Sequence, residues 1–204
     1  MIRRLFVCLA AVLCLSCPGL TRAQTTEVDK VKYDNDIQLG GTKVHLNGAG
    51  IRYKAIFKVY TAGLYLASKA STTEAVLAAP GPKRLLVVML REIDGNELGK
   101  LFTRGMEQNL QREEFSKSIP GIMRISEAFA LRRKLLPGDQ FSIDWVPGVG
   151  TQLYVMGSAA GEPIREPEFF SAMMKIWLGK SPADSQLKDA LLGKPAGGIN
   201  MSTY

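Results

Sequence analysis

Apolar residues recur along this chain with two different periods, and the order of these periods predicts the class of fold. An apolar residue at every second position predicts a strand, and a spacing of three or four residues predicts a helix. Strand patterns with one short helix fill the first half, two helices follow, and a hairpin and two more helices come last. This order predicts an α+β fold with a largely antiparallel sheet, because a parallel sheet needs regularly alternating strands and helices.

Turn signals bound the predicted strands. Residues 24–30 are polar and predict a loose segment ahead of the first strand. Two short alternating stretches flank the glycines at 40–41, which predicts a hairpin. The continuous apolar run KRLLVVML (83–90) predicts a buried strand. The PGVG segment (147–150) lies between two alternating stretches and predicts a second hairpin.

Five stretches carry helical spacing or cap signals. Ser71 or Thr72 caps the first, and Asp94 caps the second in a variant of the capping box. Pro120 and Gly121 are predicted to break the chain between the second and third helices. A Ser-Pro start is predicted for the fifth. The predicted helices cover 71–79, 94–115, 122–136, 166–179 and 181–193.

The first residues have the pattern of a secretory signal peptide. Arg3 and Arg4 precede an apolar run over 5–15, and the small and polar residues that follow end in TRA before Gln24. The run is shorter than the ~20 residues that span a bilayer, although a short membrane anchor is the alternative. We therefore predict a cleaved signal peptide over 1–23, a domain over 24–195, a disordered tail over 196–204, and a periplasmic or secreted location.

The positions of the cysteines and the net charge limit the kinds of site and ligand that the chain can have. The three cysteines all lie in this segment, so the cleaved chain has no disulfide and no cysteine metal site, and lipidation at Cys17 is a minor alternative. The formal charge is +7, and loss of the three arginines of the segment reduces it to +4. The excess is compatible with acidic ligands or anionic surfaces, or with a generally solvated basic surface. No basic run or recognition motif indicates nucleic acid.

Few side chains offer catalytic chemistry. His45 is the only histidine, and it lies between two apolar residues of a predicted strand, which favours a structural or surface role. The sequence has no nucleotide-binding, serine-hydrolase or zinc-protease motif, so we expect no metal and no cofactor. Arg52 is different, because it has apolar neighbours and its permanently charged fork matches a carboxylate or an oxyanion.

The partner of Arg52 depends on how the chain runs from Ile51 onward. Odd positions are apolar there and even positions include Arg52 and Tyr60, which predicts a strand. A straight strand would separate Arg52 from Tyr60 by roughly 26 Å. A turn centred on Ile56 would place them opposite each other, although KAIFK contains no glycine or proline for such a turn. The pattern alone leaves both possibilities open.

Several segments together resemble the chalcone isomerase superfamily. GAGIR (48–52) leads into FKVYTAGLYL (57–66), and WVPGVGTQLYVMG (145–157) precedes a helix with an acidic-FF start and IWLG (176–179). The set is similar to the bacterial, exported, chalcone isomerase-like branch over roughly residues 30–194. The resemblance implies an open-faced β-sandwich, in which helices cover a large antiparallel sheet and a ligand cleft lies between them.

The resemblance also bears on catalysis. Plant chalcone isomerases close a flavanone ring without a cofactor. They share an arginine, a threonine, a tyrosine and an asparagine for this reaction. The resemblance places these roles on Arg52, Tyr60, Leu98 and Gly105, so only the arginine is retained. Losing one positioned donor to a developing oxyanion costs about 3 kcal/mol, or about a hundredfold in rate. Efficient chalcone cyclisation is therefore not expected.

This sequence also resembles the fatty-acid-binding branch of the superfamily, in which an arginine and a tyrosine hold the carboxylate of the ligand. We therefore expect binding of a fatty acid or other apolar carboxylate, with Arg52 and Tyr60 at its head. The alternatives are a cofactor-free isomerase of the intramolecular lyase type, or a partner-binding domain with a filled cleft and Arg52 in an ion pair. The predicted tail contacts, which plain core packing would also explain, are Leu98, Leu101, Phe102, Phe169, Phe170 and Met173.

Overall fold

The computed structural model describes residues 24–194. The predicted signal peptide and the predicted tail lie outside the described residues. The strands within this part are β1 (Thr25–Val28), β2 (Val31–Asp34), β3 (Asp36–Leu39), β4 (Thr42–Lys54), β5 (Phe57–Leu66), β6 (Lys83–Met89), β7 (Ile93–Asp94), β8 (Lys134–Leu135), β9 (Gln140–Val146), β10 (Gly150–Val155) and β11 (Ser158–Ala159). The helices are α1 (Thr73–Ala78), α2 (Gly95–Glu107), α3 (Arg112–Ala130), α4 (Pro167–Leu178) and α5 (Ser185–Leu191).

A seven-stranded antiparallel sheet forms the centre of the fold, in the order β11-β10-β9-β6-β5-β4-β3. Chain neighbours pair throughout, except that β6 pairs with β9. The chain between these two strands contains α2 and α3, which pack with each other and with α4. The predicted α+β class and the large antiparallel sheet packed against helices are confirmed.

The main core lies between the sheet and the helices. Leu85, Val87 and Met89 alternate along β6 and all point into it. Phe102 of α2 is surrounded by three aromatic rings, whose centroids lie at 5.1 Å (Phe129), 5.8 Å (Phe141) and 5.5 Å (Trp177). Such tilted and edge-on contacts add to the apolar burial that holds the helices on the sheet.

A smaller cluster covers part of the opposite face of the sheet. Tyr33 of β2 is fully buried there, and its hydroxyl donates a 2.7 Å hydrogen bond to Thr61 of β5. The β1–β2 hairpin is held against the sheet in this way. The prediction that residues 24–30 are loose is wrong for this reason: β1 pairs with β2 from Thr25 to Val28, and its anchor is a residue outside the polar segment.

Several helix boundaries differ from their predictions. Helix α3 ends at Ala130 rather than at 136, because Lys134 and Leu135 pair with β7. Helix α3 runs through Pro120 without a break, and the break lies instead between α2 and α3 at 108–111. A proline inside a helix costs about 3 kcal/mol, and burial of Ile122, Ile125 and Phe129 from the same helix outweighs that cost. Helix α5 starts at an Asp184 cap rather than at a Ser-Pro cap, because the Asp184 carboxylate accepts from the Leu187 amide.

Other local predictions are confirmed. Thr72 caps α1, and Asp94 caps α2 by accepting from the amides of Asn96 and Glu97. Both predicted hairpins form, at 40–41 between β3 and β4 and at 147–149 between β9 and β10. These features are set by neighbouring residues, which is why the sequence pattern alone locates them.

The glycines of the NGAG segment let α5 lie directly on β4. A Cβ at Gly48 would meet the Ala190 carbonyl oxygen, and a Cβ at Gly50 would lie 2.6 Å from the Ala190 methyl carbon. The adjacent Asn47 ties the two elements together. Its buried amide donates to the carbonyls of Ala70 and Leu191 and accepts from the Ala70 amide, at 2.7–2.8 Å.

We predict that Asn47→Ala lowers the free energy of unfolding by about 3 kcal/mol, because it leaves buried backbone groups without partners at about 1–3 kcal/mol each. Urea denaturation followed by circular dichroism measures this change. Asn96→Ala, at an exposed position of α2, is the control and should change stability by less than about 0.5 kcal/mol. Equal stabilities of the two variants would show that Asn47 does not hold α5 on the sheet.

Candidate functional site

The β4–β5 hairpin brings Arg52 opposite Tyr60. The two strands turn at Ala55 and Ile56, and Arg52 pairs with Tyr60 across the ladder. Ala55 adopts a left-handed backbone with φ 54°, which costs about 1–2 kcal/mol for a residue with a Cβ. The antiparallel pairing along the two strands outweighs this cost. The turn therefore forms without glycine or proline, and the straight-strand alternative is excluded.

A bulge next to this pair adjusts its register. Tyr53 pairs with Lys58, while Arg52 pairs with Tyr60, so Val59 is the extra residue on β5. Directly opposite residues of an antiparallel pair point to the same face of the sheet. Tyr60 belongs to the core between sheet and helices, so Arg52 shares the helix-covered face with it.

Arg52 and Tyr60 touch through the face of the ring. The guanidinium carbon lies 5.4 Å from the ring centroid of Tyr60, which is a cation–π distance. The Arg52 Nε is buried and has no hydrogen-bond partner among residues 24–194. An unpaired buried donor is costly. Arg52 thus retains capacity to bind an anion on this face.

The Tyr60 hydroxyl is held by Trp177 of α4. The indole Nε1 donates a 2.8 Å hydrogen bond to it, and since an indole can only donate, the phenol oxygen is the acceptor. Burial raises the pKa of Tyr60 to about 12, although Arg52 and the Trp177 hydrogen bond act in the opposite direction. The phenol is therefore neutral at neutral pH, and its own proton is available to a second partner.

A cavity opens beside this pair, and we call it the Arg52 cavity. Its volume is about 280 Å³, near the lower limit of the ~300–1,000 Å³ typical of small-molecule sites. Helix α2, helix α4 and strand β9 supply its apolar wall, which consists of Leu98, Leu101, Phe102, Phe141, Ile176 and Trp177.

The polar lining of the Arg52 cavity is positively charged. Arg52, Lys54 and Arg104 line it, and no carboxylate is among its lining residues. None of the three cations forms a salt bridge within the described part of the chain. With an apolar wall and a cationic lining, the arrangement suits an anion that carries an apolar body.

The structure brings together most of the residues predicted for the site. Arg52, Tyr60, Leu98, Leu101 and Phe102 all line the Arg52 cavity. The helix α2 residues share one face because they recur at helical spacing. Gly105, one turn further along, also lines the cavity and allows close packing, since a Cβ there would lie 3.0 Å from Ile176.

Three predicted tail contacts lie elsewhere. Phe170 does not line the Arg52 cavity; its ring packs 6.3 Å from that of Trp145 and 5.9 Å from the Lys83 ammonium. Met173 is fully buried in the main core. Phe169 lines a second cavity beside α3. Helix α4 is apolar on most of its surface, so the sequence pattern could not distinguish the side that faces this cavity.

The second cavity is larger, at about 690 Å³, but it is less suited to a carboxylate. Its lining includes four acids, Glu113, Glu114, Glu166 and Glu168, and two cations, Lys117 and Arg124. Glu114 already accepts from Lys175 at 2.6 Å. The excess of acids makes this cavity repel an anion, in contrast to the Arg52 cavity.

Sequence reasoning missed several residues of the site, among them Lys54, Arg104, Gln108 and Trp177. Arg104 lines the cavity from α2, and Gln108 lines it from the cap that follows this helix. A signal for them existed, because they follow Leu101 at spacings of three and seven. Lys54 shares the parity of Arg52 on β4. Trp177 carried no local signal for its role, since only tertiary packing brings its indole to Tyr60.

The described residues contain neither a metal-ligating cluster nor a helix that could span a membrane. Residues 24–194 contain no group of three or more histidine, cysteine, aspartate or glutamate side chains arranged to hold a metal ion. No helix in the same part of the chain combines the length and the apolar character needed to cross a bilayer.

The chain is similar in fold to a solved plant protein. The crystal structure of the fatty-acid binding protein AtFAP1 of Arabidopsis thaliana matches it with a TM-score of 0.67, over 83% of this chain and 96% of that chain. The sequences are 13% identical, so the likeness establishes the shared fold and nothing finer. A comparison with curated protein sequences gives no match.

A match to a family model shows which protein family the chain belongs to. The model that describes chalcone isomerase-like proteins matches residues 25–193, which is almost the whole of the described chain. The match includes both strands of the β4–β5 hairpin and the helices that line the Arg52 cavity. This protein therefore belongs to the chalcone isomerase-like family.

Proposed function

We propose that this protein binds a fatty acid or other apolar carboxylate in the Arg52 cavity without transforming it. The observation that carries the proposal is the pair of donors left free there: the buried Arg52 Nε has no partner among the described residues, and Tyr60 keeps its proton. The match in fold to a plant protein described as fatty-acid binding supports it.

The proposed pose follows from the lining of the cavity. The ligand carboxylate accepts from Arg52 and from the Tyr60 hydroxyl, and hydrogen bonds to an ionised group are about twice as strong as neutral ones. Its alkyl chain lies along Leu98, Leu101 and Ile176, where burial contributes about 25 cal/mol per Å² of apolar surface. A cavity of about 280 Å³ favours a short or medium chain over a long one.

The lining favours binding over isomerisation. Catalysis of chalcone cyclisation needs several donors aimed at a developing enolate. Leu98 and Gly105 line the cavity at the positions where the resemblance places a tyrosine and an asparagine, and neither offers a side-chain donor. The raised pKa of Tyr60 also makes it a donor rather than a general base at neutral pH.

The partner-binding alternative has less support. It requires a filled cleft and a structural ion pair for Arg52. The Arg52 cavity is open, and Arg52 makes no salt bridge in the described chain. The sheet does contain such a pair, but Arg84 of β6 forms it with the buried Asp144 of β9 at 2.5–2.7 Å.

We also propose that the protein is exported through residues 1–23, for which the charged start and the apolar run are the support. Expressed in a Gram-negative host, the chain is expected in the periplasmic fraction with a mass that begins at Gln24. Mass spectrometry of the fractions measures this. A chain that stays in the membrane fraction with residues 1–23 attached would contradict cleavage.

We predict that Arg52→Ala weakens binding of decanoate by about thirty- to 160-fold, because a hydrogen bond to a charged group contributes about 2–3 kcal/mol. Isothermal titration calorimetry on the chain from Gln24 measures the affinity. The affinity of Arg52→Lys should lie between those of the original chain and Arg52→Ala, since lysine keeps the positive charge and loses the forked guanidinium.

The matched control for this prediction is Arg124→Ala. Arg124 lines the second cavity, so its loss should leave decanoate binding unchanged. Equal affinity of Arg52→Ala and the original chain, with both proteins folded, would refute the proposal. Loss of binding in Arg124→Ala alone would move the ligand to the second cavity.

We predict an alkaline loss of stability to which Tyr60 contributes. Its pKa is raised from 10.0 to about 12 in the folded protein, so its contribution is complete below pH 10.0 and is lost as pH rises towards 12. The contribution amounts to about 3 kcal/mol. Tyr60→Phe should therefore reduce the pH slope of the unfolding free energy above pH 10.0, as urea denaturation at stepped pH will show. An unchanged slope would mean that Tyr60 ionises as an exposed phenol.

A further inference from the structure

We propose that the tip of the β4–β5 hairpin docks on an anionic lipid bilayer. The tip carries two adjacent apolar side chains, Ile56 and Phe57, which are 84% and 52% exposed. Ile56 occupies the turn itself, where glycine, asparagine, aspartate or serine is the usual choice. Packing within residues 24–194 does not account for an isoleucine at this position.

Cations surround these two side chains. Lys54 pairs with Phe57 across the ladder, Lys58 follows Phe57, and the Arg91 guanidinium lies 4.5 Å above the Phe57 ring. Lys30 lies on the β1–β2 turn, whose Asp29 contacts Lys58. Lys54, Lys58 and Arg91 thus adjoin the apolar tip, and Lys30 is next to the Asp29 that contacts Lys58.

The acids near the tip are mostly engaged. Asp29 forms its 2.6 Å contact with Lys58, and Glu92 contacts Lys134. Asp184 accepts from the amides of Tyr53 and Leu187. Lys54 and Arg91 form no salt bridge among the residues described. The four cations near the tip outnumber the three acids, so its surroundings have a net positive charge.

An apolar tip within a ring of cations matches the interface of an anionic bilayer. Apolar side chains enter the boundary between headgroups and acyl chains, while lysine and arginine near the surface attract anionic lipids. A protein partner is less well matched, because a stable interface buries ~800 Å² on each side. Two side chains at a hairpin tip supply only a small part of such an area.

Docking of the tip would bring the Arg52 cavity to the membrane surface. Lys54 is one of the cations around the tip and also lines the cavity, and Arg52 lies two residues before it on the same strand. Docking itself does not rest on the proposed function, since a bilayer can be bound with the cavity empty.

Cosedimentation with vesicles tests the proposal. The chain from Gln24 is used, which contains all the strands and helices described above. We expect binding to vesicles of equal parts phosphatidylglycerol and phosphatidylcholine, weakening in high salt, and little binding to pure phosphatidylcholine. The double variant Ile56→Ser/Phe57→Ser should bind at least about tenfold more weakly. Arg91→Gln should bind about fivefold more weakly.

The matched control is Val149→Ser. Val149 is 48% exposed in the β9–β10 turn, so this variant removes an apolar side chain from another hairpin tip and should bind vesicles like the original chain. Circular dichroism confirms that each variant is folded, independently of any ligand. Decanoate titration without vesicles then separates a failure of docking from a failure of the proposed function.

Two outcomes would overturn the proposal. One is equal vesicle binding by the double variant and the original chain. The other is a chain that ignores anionic vesicles but self-associates in sedimentation, with the self-association lost in Ile56→Ser/Phe57→Ser. That result would assign the tip to a second copy of the chain.

Discussion

The register of the β4–β5 hairpin is the constraint on which the site depends. A turn at Ala55 and Ile56, followed by a bulge at Val59, sets Arg52 opposite Tyr60 on the helix-covered face of the sheet. A slip of one residue would turn one of the two side chains to the other face. The strained backbone of Ala55 is stable because the strands pair along almost their full length.

The helices complete the site because glycines let them approach closely. Gly105 brings α2 against Ile176 of α4, and α4 in turn carries Trp177 to the Tyr60 hydroxyl. Gly48 plays the same part between β4 and α5. The walls of the Arg52 cavity are parts of α2, α4 and β9, which pack around it.

The electrostatics of the site come from two unlike groups, a buried phenol and a permanently charged guanidinium. The phenol of Tyr60 is neutral at neutral pH, and burial raises its pKa further, whereas a guanidinium stays charged in proteins. The two groups therefore offer a neutral donor and a cationic donor at one end of an apolar space. The second cavity has more space but the opposite charge, so volume alone does not identify the site for an anion.

The sequence by itself determined the α+β class, the hairpins at 40–41 and 147–149, the caps of α1 and α2, and Arg52 as the residue suited to an anion, because these depend on neighbours along the chain and on side-chain chemistry. Only the tertiary structure decided that α3 continues through Pro120, that Phe170 lies outside the Arg52 cavity, and that Trp177 holds Tyr60. A periodic pattern shows which face of an element is apolar. Which part of that face stays open depends on side chains from distant segments that meet only in the folded protein.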